Sequence, residues 1–474
     1  MKNKSLKILI IIFLLSLAFN LYLSLSSPYL NNGGSYFNLR VIDNIKENGL
    51  PIFYDDLSYG GRPLVLQYFF HYFMTIFSFI PLYFKIIPSL LISSLVIISY
   101  FIAKEITNDE TSSLLTSLLS GFVPIYSKIL INQFTIYAFV LPLIALILLF
   151  LMKLEKKKYS GLFILFSFIL SLTSSLSFLL LFILIFYVLL MNAENIKLIR
   201  LKKEILIFSF FLIFLVNVLL FRISFMEYGF NIIYGNNPIL YSFNFFNSIY
   251  FIGIIPLFFG AIGLYQGFFK LKKESIVLIS SLILGILFLL LLNIVNLNVG
   301  LLFLSFGLII ASSLSIKNFF TYLEKTKLSH IRLFFIWIFI FLFFILSLVP
   351  TYFGYYREFD DLSDFESLKY ITEHDSVVLA PISYGHLITY FGGRINVIDT
   401  NFLLAPDPEQ RYHDVDLIYG GWSYNKAVEL IKDYNIDYIY INQYVKDLYN
   451  VADLNLENEK CIRKVEGSIY QFIC

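Results

Sequence analysis

The chain has 474 residues, of which 58% are apolar or aromatic and only 14% are charged, and its mean hydropathy is +0.77. Soluble domains carry about 25% charged residues, so this composition excludes a soluble cytosolic enzyme. The net charge of +2 conceals two regions of opposite sign. Residues 1–354 contain 25 basic and 13 acidic side chains, whereas residues 355–474 contain 10 and 20. We therefore predict a membrane domain over 1–354 and an acidic soluble α/β domain over 355–474.

The basic residues of the membrane domain are confined to short loops between apolar runs, so nucleic-acid binding is not expected. The eleven apolar runs approach the 20 or so residues that a spanning helix needs. They lie near residues 8–25, 86–103, 111–127, 134–152, 159–174, 175–191, 205–221, 246–268, 275–292, 298–315 and 332–353. We interpret the first run as an uncleaved signal anchor, with a cleaved signal peptide as the alternative. The runs contain almost no ionisable groups, which argues against an ion pump or a proton-coupled transporter.

A further apolar run, Leu64–Leu82, contains Gln67 and His71, and the distribution of basic residues decides its interpretation. If this run does not span, 19 of the 25 basic residues lie on the cytoplasmic side, whereas a span here inverts every later loop. We therefore predict an interfacial or re-entrant helix on the outer face. The N-terminus is then cytoplasmic, and the 26–85 loop, the 222–245 loop and the acidic domain are extracytoplasmic.

The acidic region has the pattern of a small α/β domain. Strands are predicted at Ser376–Ala380, Arg394–Asp399 and Ile436–Ile441, and helices at Asp364–Glu373, His386–Phe391 and Tyr424–Tyr434. The last segment, Cys461–Cys474, is predicted to form a closing hairpin. Its two cysteines can form a disulfide outside the cell, and two unpaired buried thiols are the alternative.

The first outer loop begins with a predicted amphipathic helix. Apolar residues at 37, 41, 42 and 45 define its apolar face, and Gly49 ends it. Arg40, Asp43 and Glu47 share the polar side, where a solvated face with an ion pair is the alternative to a functional role.

A second charged group follows in the same loop. Asp55 and Asp56 precede Arg62, and paired acids beside an arginine suit a metal ion with a phosphate head group. An ordinary turn explains paired aspartates equally well.

The 222–245 loop contains one acidic residue, Glu227, among apolar and aromatic neighbours. A lone carboxylate in such surroundings is costly unless it is paired or binds a ligand. The alternatives are an ion pair with Arg222 and a functional role.

In the acidic domain, Tyr384 and His386 follow a predicted strand, and Arg394 and Asp399 lie in the next one. Strand ends that lead into helices are frequent ligand sites, and a structural turn is the alternative. His386 has no Cys, Asp or Glu at the spacing of a metal ligand, so we do not expect it to hold a metal by itself.

These segments follow an order that resembles the GT-C membrane glycosyltransferases, in particular the catalytic subunit of oligosaccharyltransferase. Residues 35–40, Ser-Tyr-Phe-Asn-Leu-Arg, are similar to that family's Asp-x-x-Tyr-Tyr-His-Leu-Arg stretch. Residues 224–227, Ser-Phe-Met-Glu, are similar to its Ser-Val-x-Glu motif. Residues 381–386, Pro-Ile-Ser-Tyr-Gly-His, are similar to its Trp-Trp-Asp-Tyr-Gly motif. The resemblance covers nearly the whole chain.

The resemblance implies a polytopic α-helical membrane protein of GT-C type with about eleven spans and an extracytoplasmic α/β domain. It further implies transfer of a sugar or oligosaccharide from a polyprenyl-phosphate-linked donor to an acceptor, such as a protein, with a divalent cation (Mn or Mg). The candidate residues divide into catalytic acids, metal ligands and substrate-binding side chains. They are Asp43, Asp55, Asp56 and Glu227 as acids, Asp56 and Glu227 as metal ligands, and Arg40, Arg62, Arg222, Tyr384, His386 and Arg394 for substrate.

The sequence also departs from the family pattern. Asn32 and Gly34 occupy the expected positions of the first-loop acid, and residues 127–135 contain Lys128, Asn132 and Gln133 but no acid. The Trp-Trp-Asp part of the tail motif reads Pro-Ile-Ser, so strict asparagine-linked transfer is not expected. The alternative to an enzyme is a non-catalytic relative that binds a lipid-linked sugar or a partner protein.

Overall fold

The computed structural model describes residues 2–229, 244–355, 359, 362–420, 423–449 and 461–474. The chain divides into two compact units. The first, called here the helical unit, comprises Met1–Ser26, Gln67–Leu220 and Tyr241–Tyr356. The second, called here the mixed unit, comprises Ser27–Leu66, Phe221–Leu240 and Arg357–Cys474. The mixed unit therefore adds most of the first outer loop and the start of the 222–245 loop to the acidic tail.

Helices dominate the described chain, and a few turns are wider or tighter than α-helix. The helices α1 to α22 are, in chain order, Lys2–Leu25, Gly33–Asn48, Phe69–Thr75, Tyr83–Thr107, Glu110–Gly121, Pro124–Ile129, Tyr137–Met152, Lys157–Thr173, Ser177–Ala193, Arg200–Leu220, Arg222–Tyr228, Phe245–Ile252, Ile254–Tyr265, Glu274–Leu291, Leu297–Glu324, Arg332–Phe343, Val349–Phe353, Ser363–Ile371, Gly385–Leu387, Pro408–Gly420, Tyr424–Asp433 and Gln443–Tyr449. The strands β1 to β7 are Tyr54–Asp55, Arg62–Pro63, Val377–Leu379, Ile395–Asn396, Tyr438–Tyr440, Ile462–Glu466 and Ile469–Phe472.

The helical unit confirms a multi-pass membrane architecture. Within the described residues, six helical segments are long and apolar enough to cross a bilayer, or seven if α12 and α13 together form one bent span. The helices α7 and α9 are apolar but shorter. The predicted eleven runs all coincide with helices, although their number as spans stays a prediction.

Two predicted runs are broken by local chemistry. The 246–268 run is bent by 83° between α12 and α13, where Gly253 has a φ of +90° and Pro256 follows in the first turn of α13. A positive φ ends the first helix, and proline is tolerated only where no helical N–H is needed. The 111–127 run is divided where Phe122 follows α5 and Pro124 starts α6.

Polar side chains on α1 connect it to its neighbours within the helical unit. Asn20 donates to the Ser93 hydroxyl (3.0 Å), and Ser16 donates to the carbonyl oxygen of Gly121 (3.1 Å). Hydrogen bonds between apolar helices are worth about 0.6–2 kcal/mol each. These contacts pack α1 against its neighbours, and its interpretation as a signal anchor stays a prediction.

The Leu64–Leu82 run contains only the short helix α3, which has seven residues and is too short to span. Phe70 and His71 are fully enclosed, whereas Ile76 and Phe79 later in the run are exposed (65% and 80%), so the interfacial or re-entrant helix stays a prediction. Gln67 donates to the carbonyl oxygen of Ser171 (2.9 Å) and to Asn217 (3.4 Å). The polar residues that made this run ambiguous are therefore used for packing between helices.

The mixed unit is built on a five-stranded sheet with the order β4-β3-β5-β7-β6. The strand β3 is parallel to β4 and β5, and β7 is antiparallel to both β5 and β6. The predicted strands and the helices α18, α19 and α21 are confirmed, although β4 has only two residues. The disulfide Cys461–Cys474 is also confirmed and joins the ends of the hairpin, with a Cα–Cα distance of 4.9 Å.

Candidate functional site

The first outer loop is part of the mixed unit because α2 packs against the turn after β3. Asn32 caps α2 by accepting a hydrogen bond from the Gly34 amide (2.6 Å), and Gly49 ends it with a φ of +74°, as predicted. Phe37 contacts the ring of His386 at 5.1 Å between centroids. A Cβ on Gly33 would overlap the Ser383 carbonyl, so glycine permits this close approach.

The segment between β1 and β2 adds an edge to the five-stranded sheet. The Asn396 amide of β4 donates to the carbonyl oxygen of Leu57 (2.8 Å). The Asn396 side chain in turn accepts from the Tyr59 amide (3.0 Å). Tyr59 has a φ of +56°, a conformation that is uncommon for residues other than glycine, so tertiary contacts hold this tyrosine in place.

Asp399 is the centre of the buried polar network that these segments form. Its carboxylate accepts from Ser58 (2.6 Å), from Asn396 (3.1 Å) and from the Asn401 amide (2.9 Å). It also forms an ion pair with Arg62 (3.3 Å), and both side chains are 1% exposed. Although burial raises the pKa of Asp399, the nearby charges of His386 and Arg62 and the hydrogen bond from Ser58 lower it to about 2.

Arg62 holds the loop to the tail through several atoms. Its Nε donates to Ser58 (2.8 Å), and its Nη1 donates to the carbonyl oxygens of Asn401 and Leu403 (3.1 Å for Leu403). Its guanidinium also lies 5.0 Å from the centre of the Tyr59 ring. The predicted substrate-binding arginine is thus buried and used by the protein itself.

His386 lies at the same network, at the carboxyl end of β3. Its Nδ1 is 3.7 Å from Asp399, and its Nε2 is 3.1 Å from the hydroxyl of Thr400. Burial lowers the pKa of His386, the Asp399 carboxylate opposes this, and the Arg40 and Arg62 charges lower it further. Gly385 is required beside it, because a Cβ there would overlap the carbonyl oxygen of Ile398.

The paired aspartates of the first loop have separate environments. Asp55 is buried and forms an ion pair with Arg40, while Asp56 is exposed. Asp55 also accepts from the Leu57 amide (3.2 Å), which is the turn geometry that the sequence left open. The ion pair expected on the polar side of α2 joins Asp43 to Lys46 (3.5 Å). Arg40 pairs with Asp55 instead.

Glu227 and Arg222 are both exposed on α11. They form no ion pair with each other within the described chain, so the alternative explanation for Glu227 is not supported. Burial raises the pKa of the adjacent Tyr228, the Glu227 and Asp407 carboxylates raise it further, and Arg62 lowers it. The end of α11 is therefore within electrostatic range of Arg62 and of the N-terminus of α20.

Two other predicted substrate-binding residues have structural environments. Tyr384 is buried, with its ring stacked at 5.5 Å on Phe365 and 5.4 Å from Tyr440. Arg394 directs all five N–H groups to protein oxygens, including the Thr372 hydroxyl (2.7 Å) and the Lys369 carbonyl oxygen (3.0 Å). Arg394 therefore has no N–H group left for a ligand, and Tyr384 is packed among aromatic rings.

The described residues do not assemble a metal site. Among them, no group of three or more His, Cys, Asp or Glu side chains is arranged to hold a metal ion. Asp55 and Asp399 are committed to arginines, and Asp56 and Glu227 are exposed. We therefore derive no chemical step through a metal, and the predicted roles of Asp56 and Glu227 as metal ligands stay predictions.

The sequence did not reveal two residues that the structure places beside this network. Tyr59 bridges the loop and the tail by donating to the carbonyl oxygen of Asp399 (2.7 Å). Arg411, on α20, lies against the rings of Tyr59 and Tyr434. The Gly60-Gly61 pair after Tyr59 signals an unusual turn, but nothing local to residue 411 indicates its partners.

Comparison with known proteins gives a result only at the level of structure. No model of a protein family matches the chain, and no curated protein matches it by sequence. Solved structures of the oligosaccharyltransferase from Archaeoglobus fulgidus match it in fold. The complex with an inhibitory peptide and a dolichol-phosphate is 13% identical, covers 96% of this chain and 72% of that one, and gives a TM-score of 0.71.

Two further structures of the archaeal enzyme give similar values. The form tethered to an acceptor peptide with the NVT sequon is 12% identical, covers 93% of this chain and 69% of that one, and has a TM-score of 0.71. The complex with Zn and sulfate is 12% identical, covers 91% and 67%, and has a TM-score of 0.67. Similarity at this level of identity establishes the fold, whereas function has to be argued from the residues of the site. The chain therefore has the GT-C fold of the archaeal oligosaccharyltransferase, as the order of its motifs predicts.

Proposed function

We propose that this protein is a membrane glycosyltransferase that moves a sugar or oligosaccharide from a polyprenyl-phosphate-linked donor to an acceptor on the external face of the membrane. The observation that carries the proposal is the oligosaccharyltransferase fold over almost the whole chain. The archaeal protein with that fold has been captured with a dolichol-phosphate and with an acceptor peptide. A lipid-linked donor and a peptide acceptor are the corresponding candidates here.

The proposed orientation follows from the charges of the loops. With the N-terminus cytoplasmic, most basic residues of 1–354 remain inside, and the mixed unit faces the exterior. A disulfide such as Cys461–Cys474 persists in oxidising surroundings, which supports an extracytoplasmic tail. The polyprenyl chain of the donor would remain in the bilayer.

Among the predicted acids, Glu227 is the best candidate for a direct role. It is exposed, it has no described ion-pair partner, and it adjoins Tyr228, whose surroundings include Arg62 and Asp407. A positioned carboxylate can accept the proton that the acceptor nucleophile releases as the sugar–phosphate bond breaks. We propose this role for Glu227, with the exposed Arg222 as a contact for the anionic donor.

The test is sugar transfer by the full-length protein in nanodiscs. Donors would be polyprenyl monophosphate- and diphosphate-linked sugars, and acceptors would be peptides with and without an NVT sequon, with Mn²⁺ or EDTA. Glu227→Gln should lower transfer about a hundredfold or more, the range for loss of a general base, while Glu47→Gln, also exposed, should not. Equal activity of the two variants would remove Glu227 from the mechanism.

A second candidate function has a specific observation in its favour. Because the described acids do not form a cluster, the chain can retain the scaffold and bind a lipid-linked sugar or a partner protein without transferring anything. The same preparation distinguishes the candidates, since saturable donor binding without transfer to any acceptor would favour the non-catalytic protein. Transfer that depends on Glu227 would favour the enzyme.

A further inference from the structure

We propose that Arg411, which lies against the rings of Tyr59 and Tyr434, binds an oxyanion of the phosphate class. The guanidinium carbon lies 5.4 Å from the centre of the Tyr59 ring and 5.2 Å from that of the Tyr434 ring. Arginine stacks well on aromatic faces because its planar cation is weakly hydrated. Two rings fix the plane of the guanidinium in advance of any ligand.

The hydrogen bonds of Arg411 leave most of its donors without a protein acceptor. Nη1 donates to the carbonyl oxygen of Val397 (3.1 Å), and the other four N–H groups have no acceptor among the described residues. No described carboxylate is within ion-pair distance of Arg411. The aromatic hydroxyls do not compensate, since Tyr59 donates to the Asp399 carbonyl (2.7 Å) and Tyr434 donates to Asp414 (2.6 Å).

The other arginines of the mixed unit show why this arrangement is unusual. Arg62 is paired with Asp399, Arg40 is paired with Asp55, and Arg394 has an oxygen for each N–H. Arg62 and Arg394 are buried, whereas Arg411 is only partly exposed, and a cation that is partly removed from water is stabilised by a counter-charge or by further acceptors. An anionic ligand would supply what the protein does not.

The charges around Arg411 are of both signs. Burial lowers the pKa of Arg411, and the Tyr434 and Tyr59 rings and the Asp407 carboxylate oppose this shift. Arg62 also lies against Tyr59, 5.0 Å from the ring centre. Because Asp399 is paired with Arg62 and Asp414 accepts from Tyr434, the feature that favours a ligand is the set of Arg411 N–H groups without a described acceptor, and not net charge.

Phosphate oxygens fit these donors best. A planar guanidinium can offer two parallel N–H groups to two phosphate oxygens, and this bidentate contact is strong and directional. Such a phosphate can come from a polyprenyl-phosphate head group or from free pyrophosphate. Its assignment to the donor rests on the proposed function, because Tyr228 and Glu227 of α11 share electrostatic surroundings with Arg62 and Asp407.

The test measures binding of ³²P-labelled inorganic pyrophosphate and of farnesyl phosphate to the full-length protein in phosphatidylcholine nanodiscs. Arg411→Gln should weaken binding by about tenfold to a hundredfold, as expected for a charge-assisted hydrogen-bond pair. Arg411→Lys, which keeps the charge but not the fork, should lose less. Arg463→Gln is the matched control, since Arg463 is exposed and its side chain donates to Gln471 (3.2 Å).

The outcomes separate the site from the proposed enzyme. Loss of farnesyl phosphate binding alone assigns the site to a lipid phosphate, and loss of binding to both probes assigns it to phosphate in general. Unchanged binding by a folded Arg411→Gln protein, or equal loss in Arg463→Gln, overturns the proposal. If wild-type protein binds phosphate through Arg411 but transfers no sugar, the site stands and the proposed enzyme fails. If it transfers sugar while Arg411→Gln binds both probes like the wild type, the enzyme stands and the site fails.

Discussion

Replacing Asp399 with asparagine should loosen the joint between the first outer loop and the tail. The substitution preserves the shape of the side chain but leaves Arg62 buried at 1% exposure without its counter-ion. Removing one partner of a buried ion pair typically costs 3–5 kcal/mol. The pKa gives a second value, since a fall from 3.8 to about 2 corresponds to about 2.5 kcal/mol at 1.4 kcal/mol per pKa unit.

The sign of the pH dependence follows from the same shift. Because the folded pKa of Asp399 lies below its unfolded value, its contribution is complete above pH 4 and is lost as the pH falls towards 2. At pH 7 the Asp399 carboxylate should therefore stabilise the folded wild type by about 2.5 kcal/mol. The Asp399→Asn variant should lack this stabilisation.

Amide hydrogen exchange of the full-length protein in detergent at pH 7 measures this loss locally. A decrease of about 3 kcal/mol in the free energy of opening should speed exchange by roughly two orders of magnitude. The acceleration should appear in peptides covering β3, β4 and α2. Asp375→Asn is the matched control, because that side chain is 98% exposed.

A double replacement tests whether the loss of the counter-ion of Arg62 causes the destabilisation. Arg62→Met combined with Asp399→Leu removes both charges, and replacing a buried pair by apolar side chains is often nearly neutral. The double variant should therefore exchange more slowly than Asp399→Asn. If Asp399→Asn exchanges like Asp375→Asn, the network around Asp399 does not hold the loop to the tail, and the reasoning is refuted.

Three further outcomes are expected from other parts of the molecule. Replacing Cys461 and Cys474 with serine removes the cross-link and should destabilise the hairpin by about 3 kcal/mol, given a loop of this size. Amide exchange should become faster only in β6 and β7, and unchanged exchange would contradict this prediction. Gly385→Ala should abolish native folding of the tail, because the added Cβ overlaps the Ile398 carbonyl. The control is Gly161→Ala, whose added Cβ meets no atom within 4 Å. This control should be tolerated in the same expression and thermal-melt assay. Protease added to intact cells should remove a C-terminal epitope and spare an N-terminal one; the reverse pattern would invert the proposed orientation.

Features set by neighbouring residues could be predicted from the sequence. The helix α2 follows from its apolar period and from Gly49, and the apolar runs follow from hydropathy. The hairpin and its disulfide follow from a short segment with a cysteine at each end. In each case the interacting groups are close in the chain, so spacing restricts the geometry.

The contacts that build the site are of the opposite kind. Ser58 meets Asp399 across 341 positions, and Arg62 meets the same carboxylate across 337. No local pattern indicates such pairs. The sequence therefore suggests Arg62 as a ligand contact but cannot show that this arginine binds groups of the protein itself. The helix α20 was missed because its residues, Pro-Glu-Gln-Arg-Tyr-His-Asp-Val-Asp-Leu-Ile-Tyr-Gly, have little apolar periodicity.

The buried network also explains how exposed groups of the site can be positioned without a metal cluster among the described residues. Asp399 and Arg62 fix the Tyr59 turn, and Tyr59 in turn provides one face for Arg411. A functional side chain is precise only when the residues behind it are locked by packing and hydrogen bonds. Each buried contact of Tyr59 therefore reduces the freedom of Arg411, which keeps four N–H groups for a ligand. The paired ionisable residues inside the mixed unit therefore support the position of Arg411, to which we assign the proposed recognition of an anion.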